Sequence, residues 1–200
     1  MNFDPTNNYT LESERVLLRP LLDNDFEHLL KFSLDEPDLW TYSLIPANGK
    51  DNLRAYLDYA LKEREKGTSY PFIVWDKKME QYAGSTRFYD IQPKHNTVQL
   101  GYTWYGKEFQ GTGLNKHCKL LMLTFAFEEV GVERVEFRAD AKNQRSIAAM
   151  KSIGCTPEGI LRSNCASPGG RRDSIVLSIL KEEWFSKVKQ ELINKVSRNA

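Results

Sequence analysis

The stretch Thr97-Val98-Gln99-Leu100-Gly101-Tyr102-Thr103-Trp104, followed after a short gap by Gln110-Gly111-Thr112-Gly113-Leu114, decides the fold. Val98, Leu100, Tyr102 and Trp104 alternate with Thr97, Gln99, Gly101 and Thr103, the two-residue period of a strand with one buried face. From Leu114 to Val130 the period becomes helical, with Leu114, Cys118, Leu121, Met122 and Phe125 as the apolar seam and Gly131 as the stop. Strand, glycine turn and buried helix in this order aim the turn's N–H groups outward, where aligned peptide dipoles place roughly half a positive charge. Gly111 and Gly113 let an anion approach the backbone without a Cβ clash. This is the construction of a diphosphate cradle, although the same two glycines also make a plain turn. The spacing matches neither a Gly-Lys-Ser/Thr loop nor the three-glycine dinucleotide fingerprint.

Upstream, Arg15–Leu18 closed by Pro20 predicts a first strand, and Asp23–Ser33, with Phe26, Leu29 and Leu30 at helical spacing, a capped helix. Asp35–Pro46 reads as irregular; its Trp40 and Tyr42 are either packing residues or the wall of an acceptor cleft. Asp51–Lys66 predicts a second helix stopped by Gly67, and Tyr70–Trp75 with Tyr82–Tyr89 a hairpin. Downstream come a strand at Arg134–Ala139 and a helix from about Gln144 to Gly154. Strands at Glu158–Leu161 and Ser174–Leu180 flank a Gly/Pro loop, Ser167–Gly170, and a terminal helix covers about 181–197. Strands in a meander, then alternating with helices, imply a mixed α/β (α+β) sheet carrying helices on its faces.

With 200 residues, 40% hydrophobic and 28% charged, the chain is expected to be one domain spanning 1–200, its core about 12–181. The net charge of +1 provides no global field for nucleic acid or an anionic membrane. Arg171-Arg172 is the sharpest basic pair and reads as a solvated loop. Three cysteines without metal-ligand spacing argue against a disulfide framework and against a metal site. No apolar run is long enough to span a bilayer, so a cytoplasmic protein is expected, as monomer or homodimer.

Four blocks together resemble the GNAT superfamily of N-acetyltransferases, in its RimJ/RimL-like branch of ribosomal-protein N-terminal acetyltransferases. They are Glu14–Pro20; Leu100–Trp104 running into Gln110–Gly113; Ala126–Val135; and Asn143–Ser146 through Ile153-Gly154. The resemblance implies a mostly antiparallel twisted sheet with a V-shaped splay, and acetyl-CoA as donor with no metal. The family's Gln/Arg-x-x-Gly-x-Gly/Ala motif falls on Gln110, Gly113 and Asn115, so the cofactor-binding set runs Gln110, Gly111, Thr112, Gly113, Leu114 and Asn115. Asn115 departs from the small last residue, and an altered loop geometry with binding kept is expected. Pantetheine is expected to enter the gap beside Leu100, Gly101 and Tyr102, and Asn143 matches the residue facing its arm; Asn143 also reads as a helix N-cap.

Amide formation from a thioester needs a neutral amine, donors for the oxyanion and an acid for the leaving thiolate. The resemblance assigns the oxyanion to backbone N–H groups up to Tyr102, and the acid to Ser146, which equally reads as a first-turn hydroxyl. Many relatives place a Tyr acid where this chain has Met150, which has no proton to give. The carboxylates of relatives fall on Gln99 and Cys165, neither a good base, leaving Asp90, His95, Tyr42, Asp173 or water. Function therefore reads as acetyl transfer to a primary amine, a protein or peptide α-amine among them. A small-molecule amine acceptor and a non-catalytic acyl-CoA-binding module are the alternatives, with no nucleic acid or membrane partner in any of them.

Overall fold

The computed structural model describes residues 1–198; the last two residues of the expected 1–200 domain lie outside them. Eight strands form one sheet in the order β1-β2-β3-β4-β5-β6-β8-β7. Strands β1 (Leu11–Glu12), β2 (Val16–Pro20), β3 (Ser69–Asp76), β4 (Gln81–Gln92) and β5 (Thr97–Tyr105) form an antiparallel meander. β5 then pairs in parallel with β6 (Arg134–Asp140), which continues antiparallel into β8 (Gly170–Leu180) and so to β7 (Thr156–Ser167). A parallel pair needs a long crossover. Here it is helix α3 (Leu114–Thr124), prolonged by a wide turn, Phe125–Val130, to the left-handed Gly131.

Residues 69–74 of β3 are all buried, so both faces of the sheet are covered at its centre. α1 (Phe26–Asp35) contributes Phe26, Leu29 and Phe32 to the core, and α2 (Lys50–Glu65) adds Leu53, Tyr56, Leu57 and Ala60. α4 (Gln144–Ser152) packs beside β6. The C-terminal helix, α5 (Lys181–Glu183), a wide turn at Trp184–Val188 and α6 (Lys189–Ser197), lies along α3. Trp184 stacks on Phe127 at 5.5 Å and donates Nε1–H to Glu128.

Three expectations are corrected. The helix predicted from Asp23 opens as a tight turn over Asp23–Asp25, because the buried Asp25 carboxylate is taken by the Arg19 guanidinium and the Leu22 N–H. The segment 35–46 contains a further tight turn, Pro37–Trp40. The strand read at Glu158–Leu161 runs on to Ser167: Arg162, Ser163 and Asn164 bulge at an exposed sheet edge, with Ser163 left-handed, and carry no apolar alternation to read.

Two irregularities of β5 open and shape a cleft. Its parallel pairing with β6 covers only Thr97–Gln99 against Arg134–Glu136, after which β6 follows β8 and the strands splay. On its other side, Ser85 pairs with Trp104 but Arg87 with Gly101, so β5 carries one extra residue and bulges at Tyr102, whose φ is +48°.

Candidate active site

The cleft opened by the splay has a volume of about 550 Å³. It is walled by β5 from Gln99 to Tyr105, by β6 from Phe137, and by α3, α4, the 39–44 loop and the β7–β8 hairpin. Leu100, Gly101 and Tyr102 line it where β5 has lost its neighbour, leaving one edge of the strand open to a ligand that hydrogen-bonds like a strand. A Cβ at Gly101 would come within 2.9 Å of the Tyr89 ring, which would have to shift to admit it. Tyr89, which also lines the cleft, has its phenol pushed up to about 12 by burial.

At one end lies the glycine loop. Gly111 and Gly113 both hold left-handed backbone, at φ +76° and +89°. Among the described residues, no backbone acceptor takes the N–H of Gly111, Thr112 or Gly113, and α3 begins directly after them. Gln110 is clamped, its Nε2 donating to Tyr105 O at 2.8 Å and its Oε1 accepting from Arg145 at 2.6 Å. Asn115 accepts from the Tyr105 hydroxyl at 3.3 Å, so its bulk is turned onto β5 and the loop keeps both left-handed glycines. Thr112 and Leu114 do not line the cleft: Thr112 donates its hydroxyl to Phe109 O and Leu114 is buried, so each offers only backbone. Three free N–H groups at the start of an eleven-residue helix, with Lys116 and Arg145 beside them, fit a diphosphate.

In the middle of the cleft, Asn143 caps α4 by accepting the Ser146 N–H at 3.0 Å, and both residues line the cavity with Met150. Gln99 is buried and donates Nε2–H to Asp90 Oδ2 at 2.7 Å, while Gln92 takes Oδ1 at 2.6 Å. Asp90 thus stands behind Gln99, outside the cleft lining. His95 and Asp173 are exposed, Asp173 accepting the Ser163 N–H; of the four base candidates, Tyr42 is the one that faces the cavity.

Two cations that sequence reasoning missed underlie the bulge. Arg87, on β4, is fully buried, its three nitrogens without acceptors, and its guanidinium lies 4.1 Å from the Tyr102 ring centroid, 4.8 Å from Tyr56 and 5.8 Å from Tyr59. The rings' quadrupoles stabilise the charge, and the charge in turn holds Tyr102 in its left-handed geometry. Tyr56 adds a hydroxyl donated to Tyr102 O at 3.4 Å. Lys119, on α3, is 5% exposed and donates to Thr103 at 2.8 Å and Thr86 at 3.1 Å; burial brings its pKa down to about 8. A signal for Lys119 existed: it shares the stripe of Met122, Leu123 and Ala126, where a solvated lysine has no place.

A further stretch of wall is formed by Trp40, buried against Trp104 at 5.3 Å, by the half-exposed Tyr42, and by Asn164, Cys165, Arg172 and Ser174 of the hairpin. Arg172 corrects the reading of a solvated basic pair. Arg171 is exposed, but Arg172 points inward from β8 and is 9% exposed. Among the described residues, no helix is long and apolar enough to cross a membrane, and no cluster of three or more His, Cys, Asp or Glu is arranged for a metal.

Residues 15–156 match the acetyltransferase (GNAT) domain family. The chain is 32% identical over 177 residues, 86% of its length and 94% of the other's, to the Bacillus subtilis (strain 168) protein named "Putative ribosomal N-acetyltransferase YdaF". A solved protein from T. thermophilus, described as a "putative acetyltransferase", superimposes with a TM-score of 0.83 at 33% identity, over 93% of this chain and 96% of that one. A GCN5-related N-acetyltransferase from Brucella melitensis shares the fold, with a TM-score of 0.88 at 23% identity over 96% of this chain and 87% of its own. The family match thus covers well over half the chain, including the splayed strand, the glycine loop and the cap of α4, and the protein belongs to the GNAT acetyltransferases, enzymes that transfer an acyl group to an amine.

Proposed function

We propose that this chain acts as a single acetyltransferase domain that uses acetyl-CoA to acetylate a primary amine, with the α-amine of a peptide or protein as the better acceptor. The observation that carries the reading is the continuity of one cleft from the free N–H groups of residues 111–113, along the open edge of β5, to the aromatic wall at Trp40 and Tyr42. When bound, acetyl-CoA supplies an activated acyl carbon and a thiol leaving group. The loop 110–115 would hold its diphosphate, and Leu100–Tyr102 with Asn143 its arm. The N–H groups of the bulge, held by Arg87 from below, would stabilise negative charge on an acyl oxygen. Ser146 is the hydroxyl in the cleft assigned to protonate the thiolate.

The missing base shapes the acceptor. Gln99 cannot take a proton, and the carboxylate behind it is occupied at both oxygens. Near neutral pH roughly a tenth or more of an α-amine is already uncharged, against about one part in a thousand of a lysine side chain. With no carboxylate at Gln99 or Cys165, the cleft therefore favours α-amines. The test measures CoA release with a peptide bearing a free α-amine and with one bearing only a lysine amine, from about pH 6.5 to 8.5. The α-amine peptide should be faster, and the lysine rate should rise nearly tenfold per pH unit. A flat lysine profile with no α-amine preference would refute this acceptor, and acetyl-CoA binding without turnover on any amine would refute the activity.

A further inference from the structure

Most of the half-buried arginines have a carboxylate partner, Arg64 donating instead to Pro5 O, Asn7 O and Asn8 Oδ1. Arg15 pairs with Asp76, Arg19 with Asp25, Arg134 with Glu158 and Glu136, and Arg138 with Glu136. Arg87 has no counter-ion but is sealed beneath three tyrosine rings and does not line the cleft. Arg172 alone of this group is buried, open to the cleft and without a carboxylate among the described residues. Its Nε donates to Ser174 Oγ at 3.2 Å and its Nη1 to Tyr42 O at 3.4 Å, both neutral acceptors at long distance. Nη2 has no acceptor among the described residues, and it is not sealed from solvent. Strand pairing brings no charge either, since the residue opposite Arg172 is Cys165.

A guanidinium taken out of water without a partner is costly, whereas one completed by an incoming anion contributes strong, planar, two-point recognition. The wider cleft has the same bias. Lys116, Lys119, Arg138, Arg145 and Arg172 line it against one carboxylate, Asp140, which accepts the Lys142 N–H. Lys116 and Arg145 lie at the glycine loop, where the diphosphate is placed, whereas Arg172 stands on the β7–β8 hairpin beside Tyr42 and makes no hydrogen bond to that loop among the described residues.

We propose that the acceptor carries a carboxylate close to its reactive amine and that Arg172 receives it. The proposal rests on the reading of this cleft as an amine-acetylating site and narrows the substrate class. Acceptors of this chemistry are peptides whose first or second residue is acidic, and free amino acids. A polyamine is disfavoured, because its second ammonium would meet an uncompensated guanidinium.

The test uses the full-length protein, acetyl-CoA and matched acceptors: free-N-terminal peptides with Asp or Glu at position one or two against the same peptides with Asn or Gln, and free amino acids against their amides. With concentrations counted as uncharged amine, since a free amino acid's α-amine is more basic than its amide's, each acidic member should show a KM about tenfold to a hundredfold lower than its neutral partner with kcat little changed, the mark of a charged contact made equally before and during reaction. Whichever pair shows the larger difference identifies the source of the carboxylate. Arg172→Met should abolish the difference, Arg172→Lys should keep part of it, and Arg172→Glu should turn the preference toward neutral or basic acceptors. Equal KM values across wild-type pairs, or a polyamine as the best acceptor, would overturn the proposal, as would a preference that survives in a folded Arg172→Met. Calorimetry in the presence of CoA, with the acetylated acidic peptide as ligand, gives a readout independent of turnover: tighter binding than its neutral partner, lost in Arg172→Met, supports the carboxylate site even if no amine is turned over. Equal binding of both peptides overturns it.

Discussion

Replacing Lys119 by Met should make the protein more stable near neutral pH. Burial lowers the Lys119 pKa from its ordinary 10.5 to about 8, which corresponds to about 3 kcal/mol of stability withheld while the amine is protonated. Against that gain stand two hydrogen bonds, to Thr103 and Thr86, together about 1–2 kcal/mol. The two threonine hydroxyls remain bonded to each other at 2.7 Å, so neither is orphaned, and methionine fills a similar volume. The net gain is about 1–2 kcal/mol, or roughly 2–8 °C in Tm for a chain of this size. Its pH dependence carries the stronger test. The unfolded chain keeps the lysine proton up to about 10.5 and the folded one releases it near 8, so between these values the unfolded state holds more protons and wild-type stability rises with pH. Lys119→Met lacks that rise. The gap between variant and wild type should be constant below about pH 7.5, reach zero near pH 9 and reverse in favour of wild type toward pH 10.5, with every other titration cancelling in the difference. Urea unfolding of both proteins at pH 7, 9 and 10 measures it. A variant less stable than wild type at pH 7, or a gap that does not narrow, would refute the reasoning. A variant that is more stable yet slower would show that the charge is kept for activity.

The site itself sets three further outcomes. Val at both Gly111 and Gly113 forces a β-branched residue into left-handed backbone and should abolish acetyl-CoA binding; unchanged affinity by calorimetry in a folded double variant would move the donor site elsewhere. Asn143→Ala removes the cap on the Ser146 N–H and should lower stability by about 1 kcal/mol while weakening acetyl-CoA binding or slowing turnover; a Tm change alone would reduce Asn143 to a cap. Ser146→Ala should slow single-turnover acetyl transfer about a hundredfold with acetyl-CoA affinity kept, and an unchanged rate would eliminate this hydroxyl as the acid.

What the sequence made legible was whatever repeats or punctuates. The alternation from Val98 to Trp104, the seam from Leu114 to Phe125 and the left-handed glycines 67, 111, 113 and 131 are local signals, and each marks an element or turn seen in the structure. Asn143 was readable as a cap because capping is local too. The bulge at Tyr102 was not, since it arises from a mismatch of register between β4 and β5 that no single strand records. The β7–β8 hairpin was read too short for a related reason: an exposed edge strand gives no apolar period.

The residues that escaped altogether share one property. Arg87, Lys119 and Arg172 are defined by the partner they lack, and a missing counter-ion is a fact of three dimensions. A linear reading treats arginine and lysine as solvated by default, because nearly all of them are. Yet these three sit around one cleft, Arg87 beneath the bulge and outside the lining, Lys119 beside it, and Arg172 in the wall next to Tyr42. A buried charge without a counter-ion costs stability, the cost that Lys119→Met removes for one of the three. On the proposed reading that cost is offset when charge arrives with the substrates, an acyl oxygen becoming negative at the bulge and the carboxylate of the acceptor at Arg172. The same argument explains why the cleft can dispense with a strong base. Its lining is biased toward anions, and a carboxylate at Cys165, paired across the hairpin with Arg172, would compete with the ligand for the guanidinium proposed to receive it.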